Sequence, residues 1–240
     1  MRRNACANRR GATPARVAAQ RLLVSTPLAR VPSRVATPVP LCYSSPMLDD
    51  PRLAQLRQTF EARPARAAIR SADRREAAVA ILVRARESLE LLLIRRAEMT
   101  GDPWSGHIAL PGGRRAPHDA DLLATACRET EEEVAVPVRR VGSFIGALDE
   151  VAPSTLRIPP ILVAPFVLAV PPDTIATPDP REVQAAFWVP IDSLRDRSAV
   201  SEILVDADPD PLRFPSLTYA DYVIWGLTYR ILQQFLDASG

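Results

Sequence analysis

The sequence has no lysine, three cysteines and few aromatic residues, and each shortage narrows what the protein can be. All 30 basic residues are arginine, which indicates a coding bias toward Arg, Ala and Pro rather than a chemical role. Cys6, Cys42 and Cys127 show no metal-type spacing and are too few for a disulfide scaffold, so a reducing compartment is expected. No apolar stretch approaches the roughly 18–20 residues of a membrane-spanning helix. We therefore expect a globular, cytoplasmic protein with no membrane partner.

Charge divides the chain into two parts. Residues 1–46 contain eight arginines and no acidic residue, whereas residues 47–240 contain 22 arginines and 28 acidic residues, a net charge of −6. Because the second part is acidic, a broad nucleic-acid-binding face is not expected. Residues 1–46 predict a disordered leader, or upstream sequence translated from a wrongly chosen start. Their Arg-rich composition also allows a mitochondrial transit peptide, and residues 47–240 are expected to form one domain.

Helix and strand signals alternate irregularly after Met47. An Asp cap and Pro51 begin a helix in "LDDPRLAQLRQTFEA". Two further helices are predicted in "DADLLATACRETEEEV" and "DYVIWGLTYRILQQFLD", and a short one near "DSLRD". The segments that predict strands are "EAAVAILVRA", "LELLLIRRA", "GHIALPGG", "RRVGSFIGALD", "PPILVAPFVLAV" and "VQAAFWVPI". The order predicts a mixed α/β domain and not a dinucleotide-binding fold, since G-x-G-x-x-G is absent.

The run "CRETEEEVAV" on the second helix allows two interpretations, a solvated helix face or a divalent-metal site. On a helical wheel the core-facing stripe consists of Leu123, Cys127, Thr130 and Val134. Glu129, Glu132 and Glu133 lie together on the other side, while Glu131 points elsewhere. Like charges at this spacing repel by a few tenths of a kcal/mol per pair. A divalent cation would offset that repulsion, and hard oxygen ligands suit Mg²⁺ or Mn²⁺.

Two glycines precede this helix in "ALPGGRR". Gly112 and Gly113 would let the backbone approach a ligand closely or adopt positive φ. Such a turn beside a carboxylate helix could deliver a carbonyl to a metal. The alternative is an ordinary turn between a strand and a loop.

The segment from Gly113 to Val136 resembles the signature of the Nudix hydrolases, G-x5-E-x7-R-E-U-x-E-E-x-G-U, where U is a bulky apolar residue. The matching positions are Gly113, Arg128, Glu129, Glu132, Glu133 and Val136. Asp119 stands where the pattern has Glu, one extra residue precedes Arg128, and Ala135 replaces the late Gly. The first two departures are typical of the coenzyme A pyrophosphatase branch of that family. The resemblance covers roughly residues 75–235 and implies an α-β-α sandwich with a carboxylate-bearing catalytic helix.

The resemblance also implies roles for individual residues. The metal ligands would be Glu129, Glu133, Glu132 and the Gly112 carbonyl, and the cofactor Mg²⁺ or Mn²⁺. The catalytic residues would be Glu132, Glu129 and Arg128, with Arg128 holding the carboxylates in place. The substrate-binding candidates are Arg96, Trp104 and Arg114. Weaker candidates, each also readable as a surface or structural residue, are Arg95, Arg115, His107, Glu150 and Glu182.

The implied reaction is metal-dependent hydrolysis of a pyrophosphate bond in a nucleotide. Coenzyme A or a derivative is the expected substrate, although Trp104 stands where that branch has a His. Hydrolysis of ADP-ribose or oxidised nucleotides is the alternative, and a non-catalytic nucleotide sensor is a third possibility. The expected partner is this small molecule alone, and the choice between a monomer and a homodimer stays open.

Overall fold

The computed structural model describes residues 49–68, 70, 74–101, 104–152, 160–205 and 210–240. The leader expected at residues 1–46 lies outside these ranges. The helices are α1 (Pro51–Ala62), α2 (Leu122–Val134), α3 (Val138–Val141), α4 (Ile191–Arg195) and α5 (Gly226–Ser239). The strands are β1 (Arg75–Ala85), β2 (Leu89–Arg96), β3 (Ile108–Ala109), β4 (Gly112–Arg114), β5 (Ser143–Ala147), β6 (Ile161–Ala169), β7 (Val183–Pro190), β8 (Val200–Val205), β9 (Leu212–Tyr219) and β10 (Tyr222–Trp225).

A mixed sheet forms the centre of the fold. Its strand order is β3-β2-β1-β6-β5, with β4 pairing with β1 and β7 pairing with β2. Strands β1 and β6 run parallel along nine residue pairs, while β2, β4 and β5 are antiparallel to their neighbours. Central parallel strands are covered on both faces and therefore read as continuous apolar runs. This explains why "AAVAILV" and "ILVAPFVLAV" lack polar alternation.

Alternate residues of the central strands point into two separate cores. Ile81 and Val83 of β1 pack with α1 and α5, whereas Ala80 and Leu82 pack with α2. The sheet is thus covered by helices on both faces, which confirms the expected α-β-α sandwich. Phe60 of α1 stacks on Phe235 of α5 with ring centroids 6.3 Å apart.

The predicted first helix is confirmed. The Asp50 side chain accepts from the Arg52 backbone N–H at 2.9 Å, Pro51 occupies the first turn, and the apolar face is buried. None of the helices in the described ranges has the length and apolarity that crossing a membrane requires.

A second, three-stranded sheet of order β10-β9-β8 follows α4. The prediction that one closing helix runs from Asp221 was wrong at its beginning, because residues 222–225 form β10 and the helix begins at Gly226. Ile224 pairs with Leu217 of β9, and both side chains are buried. The second sheet packs on the same core as α1 and α5.

Candidate active site

Helix α2 is fixed at both ends by local interactions. The Asp121 side chain caps the first turn by accepting from the Ala124 backbone N–H at 2.7 Å. Ala135 ends the helix with φ of 54°, a left-handed conformation in which glycine is usual. The stripe predicted to face the core is buried, including Thr130, whose hydroxyl donates to the Ala126 carbonyl at 2.7 Å.

Strand β4 lies directly against α2 because its glycines have no side chains. A Cβ on Gly113 would lie 2.4 Å from the carboxyl carbon of Glu129. A Cβ on Gly112, whose φ is +151°, would lie 2.2 Å from the carbonyl oxygen of Ala78. The Gly112 backbone N–H donates to Glu133 Oε2 at 2.9 Å. The expected close approach of this backbone to the carboxylates is therefore present.

The three glutamates occupy different environments. The side chain of Glu133 is 2% exposed, that of Glu129 is 15% exposed and that of Glu132 is 54% exposed. The position of Glu133 differs from the helical wheel, which placed it away from the core. Glu133 turns inward because β4 covers it and supplies a hydrogen-bond donor. Glu131 is half-exposed, as expected for a solvated charge.

Arg128 connects two of these glutamates to a buried aspartate. Its guanidinium donates to Glu129 Oε1 at 2.8 Å, to Glu132 Oε2 at 2.7 Å and to both oxygens of Asp119 at 3.0 Å. It also donates to the carbonyl oxygen of Arg114 at 3.1 Å. Planar, multidentate donation of this kind fixes geometry as well as charge. Arg128 thereby ties α2 to β4 and to the loop between them.

Asp119 is held as a carboxylate in spite of its burial. Its side chain is 1% exposed and also accepts from the Ala116 backbone N–H at 2.8 Å and from the Thr125 hydroxyl at 3.0 Å. Hydrogen bonding from Arg128 holds the pKa of Asp119 well below its usual range, and the same contact raises the pKa of Arg128. The shorter acid at this position of the motif is therefore fully bonded.

The pKa values of two carboxyl groups on α2, those of Glu129 and Glu133, are shifted in the opposite direction. Burial raises the pKa of Glu133 to about 8, although the Gly112 N–H and the Arg96 guanidinium lower it. The negative charges of Glu129 and Glu182 raise it further. Burial also raises the pKa of Glu129, and the hydrogen bond from Arg128 opposes this shift. Without a cation, full ionisation of this cluster is unfavourable.

The three substrate-binding candidates differ in their relation to this cluster. Arg96 Nη1 lies 3.9 Å from Glu133 Oε1, so its charge faces the site. Trp104 is half-buried, and its carbonyl accepts from the His107 backbone N–H at 3.2 Å. Arg114 is exposed, and it pairs with Ala77, which belongs to the core on the sheet face away from α2. The structure therefore brings Arg96 to the carboxylates, whereas Arg114 is connected to them only through its carbonyl, which accepts from Arg128.

Two weaker acidic candidates differ in their surroundings. Glu182, an exposed residue just before β7, lies close enough for its charge to raise the pKa of both Glu129 and Glu133. Glu150 is instead bonded to the Ala68 backbone N–H at 2.8 Å and to Arg70 at 2.9 Å.

The remaining side chains that the sequence singled out have packing or ion-pair partners. The His107 ring lies 4.8 Å from the Trp225 ring, centroid to centroid. Arg95 and Arg115 form ion pairs with Glu98 and Glu76 at 3.5 and 2.8 Å. Burial raises the pKa of Cys127 to about 11, consistent with a core residue.

The donor set fits a hard divalent cation, although it is not arranged as a finished coordination sphere. In the described ranges, no three carboxylate, imidazole or thiol groups converge closely enough to hold a metal as they stand. One oxygen of each glutamate is held by a protein donor, namely Arg128 for Glu129 and Glu132, and the Gly112 N–H for Glu133. Among the described residues, the second oxygen of each accepts no hydrogen bond. Three such oxygens on one helix are the ligand type that Mg²⁺ and Mn²⁺ prefer.

Two contributions to the site were not evident from the sequence. The Gly112 N–H bonds Glu133 across 21 residues, and only the pairing of β4 with β1 creates that contact. The Thr125 hydroxyl helps to hold Asp119, and the only signal for it was the threonine in the motif.

A family model and similar sequences give evidence on the family of this chain that is independent of the site geometry. A family model described as the NUDIX domain matches residues 73–206, more than half of the chain. A relative from Photorhabdus laumondii, described as an uncharacterized Nudix hydrolase NudL, is 34% identical over 164 residues, covering 68% of this chain and 84% of its own length. The protein of the same description from Enterobacter sp. is 34% identical over 163 residues, covering 68% and 81%. A solved MutT/nudix family protein from Enterococcus faecalis aligns with a TM-score of 0.46 at 14% identity, covering 82% of this chain and 74% of that one.

Proposed function

Because this chain belongs to the Nudix hydrolase family, we propose that it hydrolyses the pyrophosphate bond of coenzyme A or of one of its derivatives. The chain is a pyrophosphohydrolase of that family, whose members act on nucleoside diphosphate-linked compounds. The choice of coenzyme A is supported by the motif around α2. Asp119 replaces the usual Glu, one extra residue separates it from Arg128, and the shorter acid still accepts from Nε and Nη2 of that arginine.

Members of the family generally use divalent metal ions. We propose that Glu129, Glu133 and Glu132, with the carbonyl of Gly112, hold Mg²⁺ or Mn²⁺. A bound cation of this type neutralises diphosphate charge and lowers the pKa of water for attack on phosphorus. Each glutamate has one carboxylate oxygen that accepts no hydrogen bond within the described ranges, and that of Glu133 faces the Arg96 guanidinium at 3.9 Å.

The protein groups would divide the remaining tasks. Glu132 is exposed and held by Arg128, so it can orient a water molecule and accept its proton at the open oxygen. Arg128 is a positioning residue, because its donors fix both Glu129 and Glu132. Arg96, beside Glu133, would contact a phosphate of the substrate. Glu182 would add a fourth carboxylate at the mouth of the cluster.

Two substrate contacts complete the proposal. Trp104 is half-buried in the loop before β3 and offers a face on which an adenine can stack. Arg114 follows the Gly-Gly pair and would meet a phosphate group. A cytoplasmic location and a choice between monomer and homodimer remain predictions, and sedimentation of the purified chain would test the second.

The test is hydrolysis by the full chain with Mg²⁺ or Mn²⁺, with products separated by chromatography. The substrates are coenzyme A, acyl-coenzyme A, ADP-ribose, diadenosine polyphosphates and oxidised dGTP. We expect coenzyme A to be cleaved into an adenosine bisphosphate and phosphopantetheine. Cleavage of a different member would replace the substrate and leave the residue roles in place. Binding without any cleavage would favour a nucleotide sensor and refute the proposal.

A further inference from the structure

An open groove lies next to the candidate active site, where β1 begins and β4 ends. Its lining residues are Arg75, Glu76, Arg114, Arg115, Ala116 and Pro117. Three of these six are arginines and one is acidic. The surrounding domain has the opposite balance, with a net charge of −6 over residues 47–240. The groove is therefore a local cationic surface on an acidic body, a feature that attracts anions.

The guanidinium groups of two of the three arginines have no bonding partner among the residues that the structure describes. Glu76, the acid in the groove, already accepts from Arg70 and, at 2.8 Å, from Arg115. Within the described ranges, the side chains of Arg75 and Arg114 form no ion pair or hydrogen bond, and both residues are exposed. These two guanidinium groups are therefore available to a ligand.

The sheet register places the two free arginines side by side. Arg114 of β4 pairs with Ala77 of β1, and Arg75 lies two residues before Ala77 on the same strand and face. Diagonal neighbours of this kind have Cα atoms about 7–8 Å apart, within reach of one another for long side chains. Two guanidinium groups at this separation can share one phosphate, to which each presents planar donors.

The groove adjoins the reacting groups. The carbonyl of Arg114 accepts from Arg128 at 3.1 Å, and Gly113, the preceding residue, abuts the Glu129 carboxylate. Both arginine side chains share the sheet face of Ala77, opposite α2, so a phosphate that they hold would lie across β4 from a diphosphate held at the glutamates.

We propose that Arg75 and Arg114 bind a phosphate monoester that the substrate carries in addition to its diphosphate bridge. The ligand class is thus a nucleoside diphosphate-linked compound with a further phosphate on its ribose, which coenzyme A possesses and dephospho-coenzyme A lacks. This inference rests on the proposed function and makes Arg75 a specificity-determining residue for it.

The experiment compares steady-state hydrolysis of coenzyme A and dephospho-coenzyme A by the full chain with Mg²⁺. The variants are Arg75→Gln, the double variant with Arg114→Gln, and the matched control Arg86→Gln. Arg86 is an exposed arginine at the far end of β1, outside the groove. We expect Arg75→Gln to reduce the ratio of kcat/KM between the two substrates at least about tenfold, mainly through KM on coenzyme A. The control should leave that ratio unchanged.

An unchanged ratio in Arg75→Gln, or an equal loss on both substrates, would overturn the inference. If the wild-type protein cleaves neither compound, the proposed function fails, and the groove is then tested by calorimetric binding of adenosine 3′,5′-bisphosphate against AMP. Tighter binding of the bisphosphate that is lost in Arg75→Gln supports the groove. Equal binding of the two nucleotides by the wild type refutes it.

Discussion

Ionisation of Glu133 should make the metal-free protein less stable as the pH rises. The side chain is 2% exposed, and its pKa in the folded protein is about 8, against an ordinary value of 4.5. The main cause is burial, and Glu129 and Glu182 add like charge, while Arg96 and the Gly112 N–H oppose the shift. The perturbation is therefore a change of pH from 5 to 9 in the presence of a chelator.

The sign follows from proton binding. Between pH 4.5 and about 8 the folded state keeps a proton on Glu133 that the unfolded state releases. Glu133 therefore makes its full contribution to the free energy of unfolding below pH 4.5, and this contribution falls as the pH rises toward 8. The difference between the two pKa values of Glu133 corresponds to at most roughly 5 kcal/mol of unfolding free energy, at about 1.4 kcal/mol per pKa unit. A divalent cation should reverse the loss, most strongly near pH 8, because it binds the ionised carboxylate.

Urea unfolding followed by tryptophan fluorescence measures this effect at each pH. The decisive quantity is the difference between the wild type and Glu133→Gln, since the other ionisable groups are present in both proteins. The wild type should lose several kcal/mol relative to the variant between pH 5 and 9, and Mg²⁺ should restore more of it at pH 8 than at pH 6. Glu131→Gln, at a half-exposed site on the same helix, is the matched control. Parallel pH curves for the wild type and Glu133→Gln would refute the reasoning.

Three further substitutions test the site and its scaffold. Gly113→Ala should lower kcat at least about tenfold with under about 1 kcal/mol lost in urea unfolding, because the new methyl group meets the movable carboxylate of Glu129; a large stability loss would contradict this. Asp119→Asn should lower the free energy of unfolding by about 3 kcal/mol, since it disrupts a buried ion pair with Arg128, and a neutral result would show that the pair is dispensable. Ala135→Gly should raise the melting temperature, with a gain of about 0.5–1 kcal/mol, because Ala135 has a positive φ that glycine adopts without strain. No gain would mean that the extra conformational entropy of glycine in the unfolded chain cancels the relief of this strain.

Much of the fold could be predicted because its signals are local. The Asp50 cap, the apolar runs of β1 and β6 and the amphipathic stripe of α2 each depend on residues close together in the chain. The spacing of the glutamates placed them on α2 away from its core-facing stripe, which was wrong for Glu133, a buried residue. Local periodicity misled at β10, where Val223 continues the four-residue spacing of α5 although it lies on a strand. Pairing with β9 makes residues 222–225 a strand. The positive φ of Gly226 ends this strand where α5 begins.

The environment of each glutamate could not be predicted, because it depends on contacts distant in sequence. Glu133 is buried because β4 lies across it, and β4 is placed by pairing with β1. The cationic groove has the same origin, since Arg75 and Arg114 are 39 positions apart and become neighbours only through strand register. A wheel or a motif contains no information about such contacts.

The hydrogen bonds at the glutamates connect the scaffold to the proposed chemistry. Arg128 and the Gly112 N–H hold one oxygen of each carboxyl group, and that restraint fixes the orientation of the three glutamate side chains on α2. If these donors only neutralised charge, a lysine at position 128 would serve as well. A lysine supplies a compact point charge and cannot present a planar fork to Asp119 while also reaching both glutamates. The positions of the open oxygens therefore depend on the guanidinium shape at residue 128, and loss of that shape should impair metal binding even where the net charge is retained.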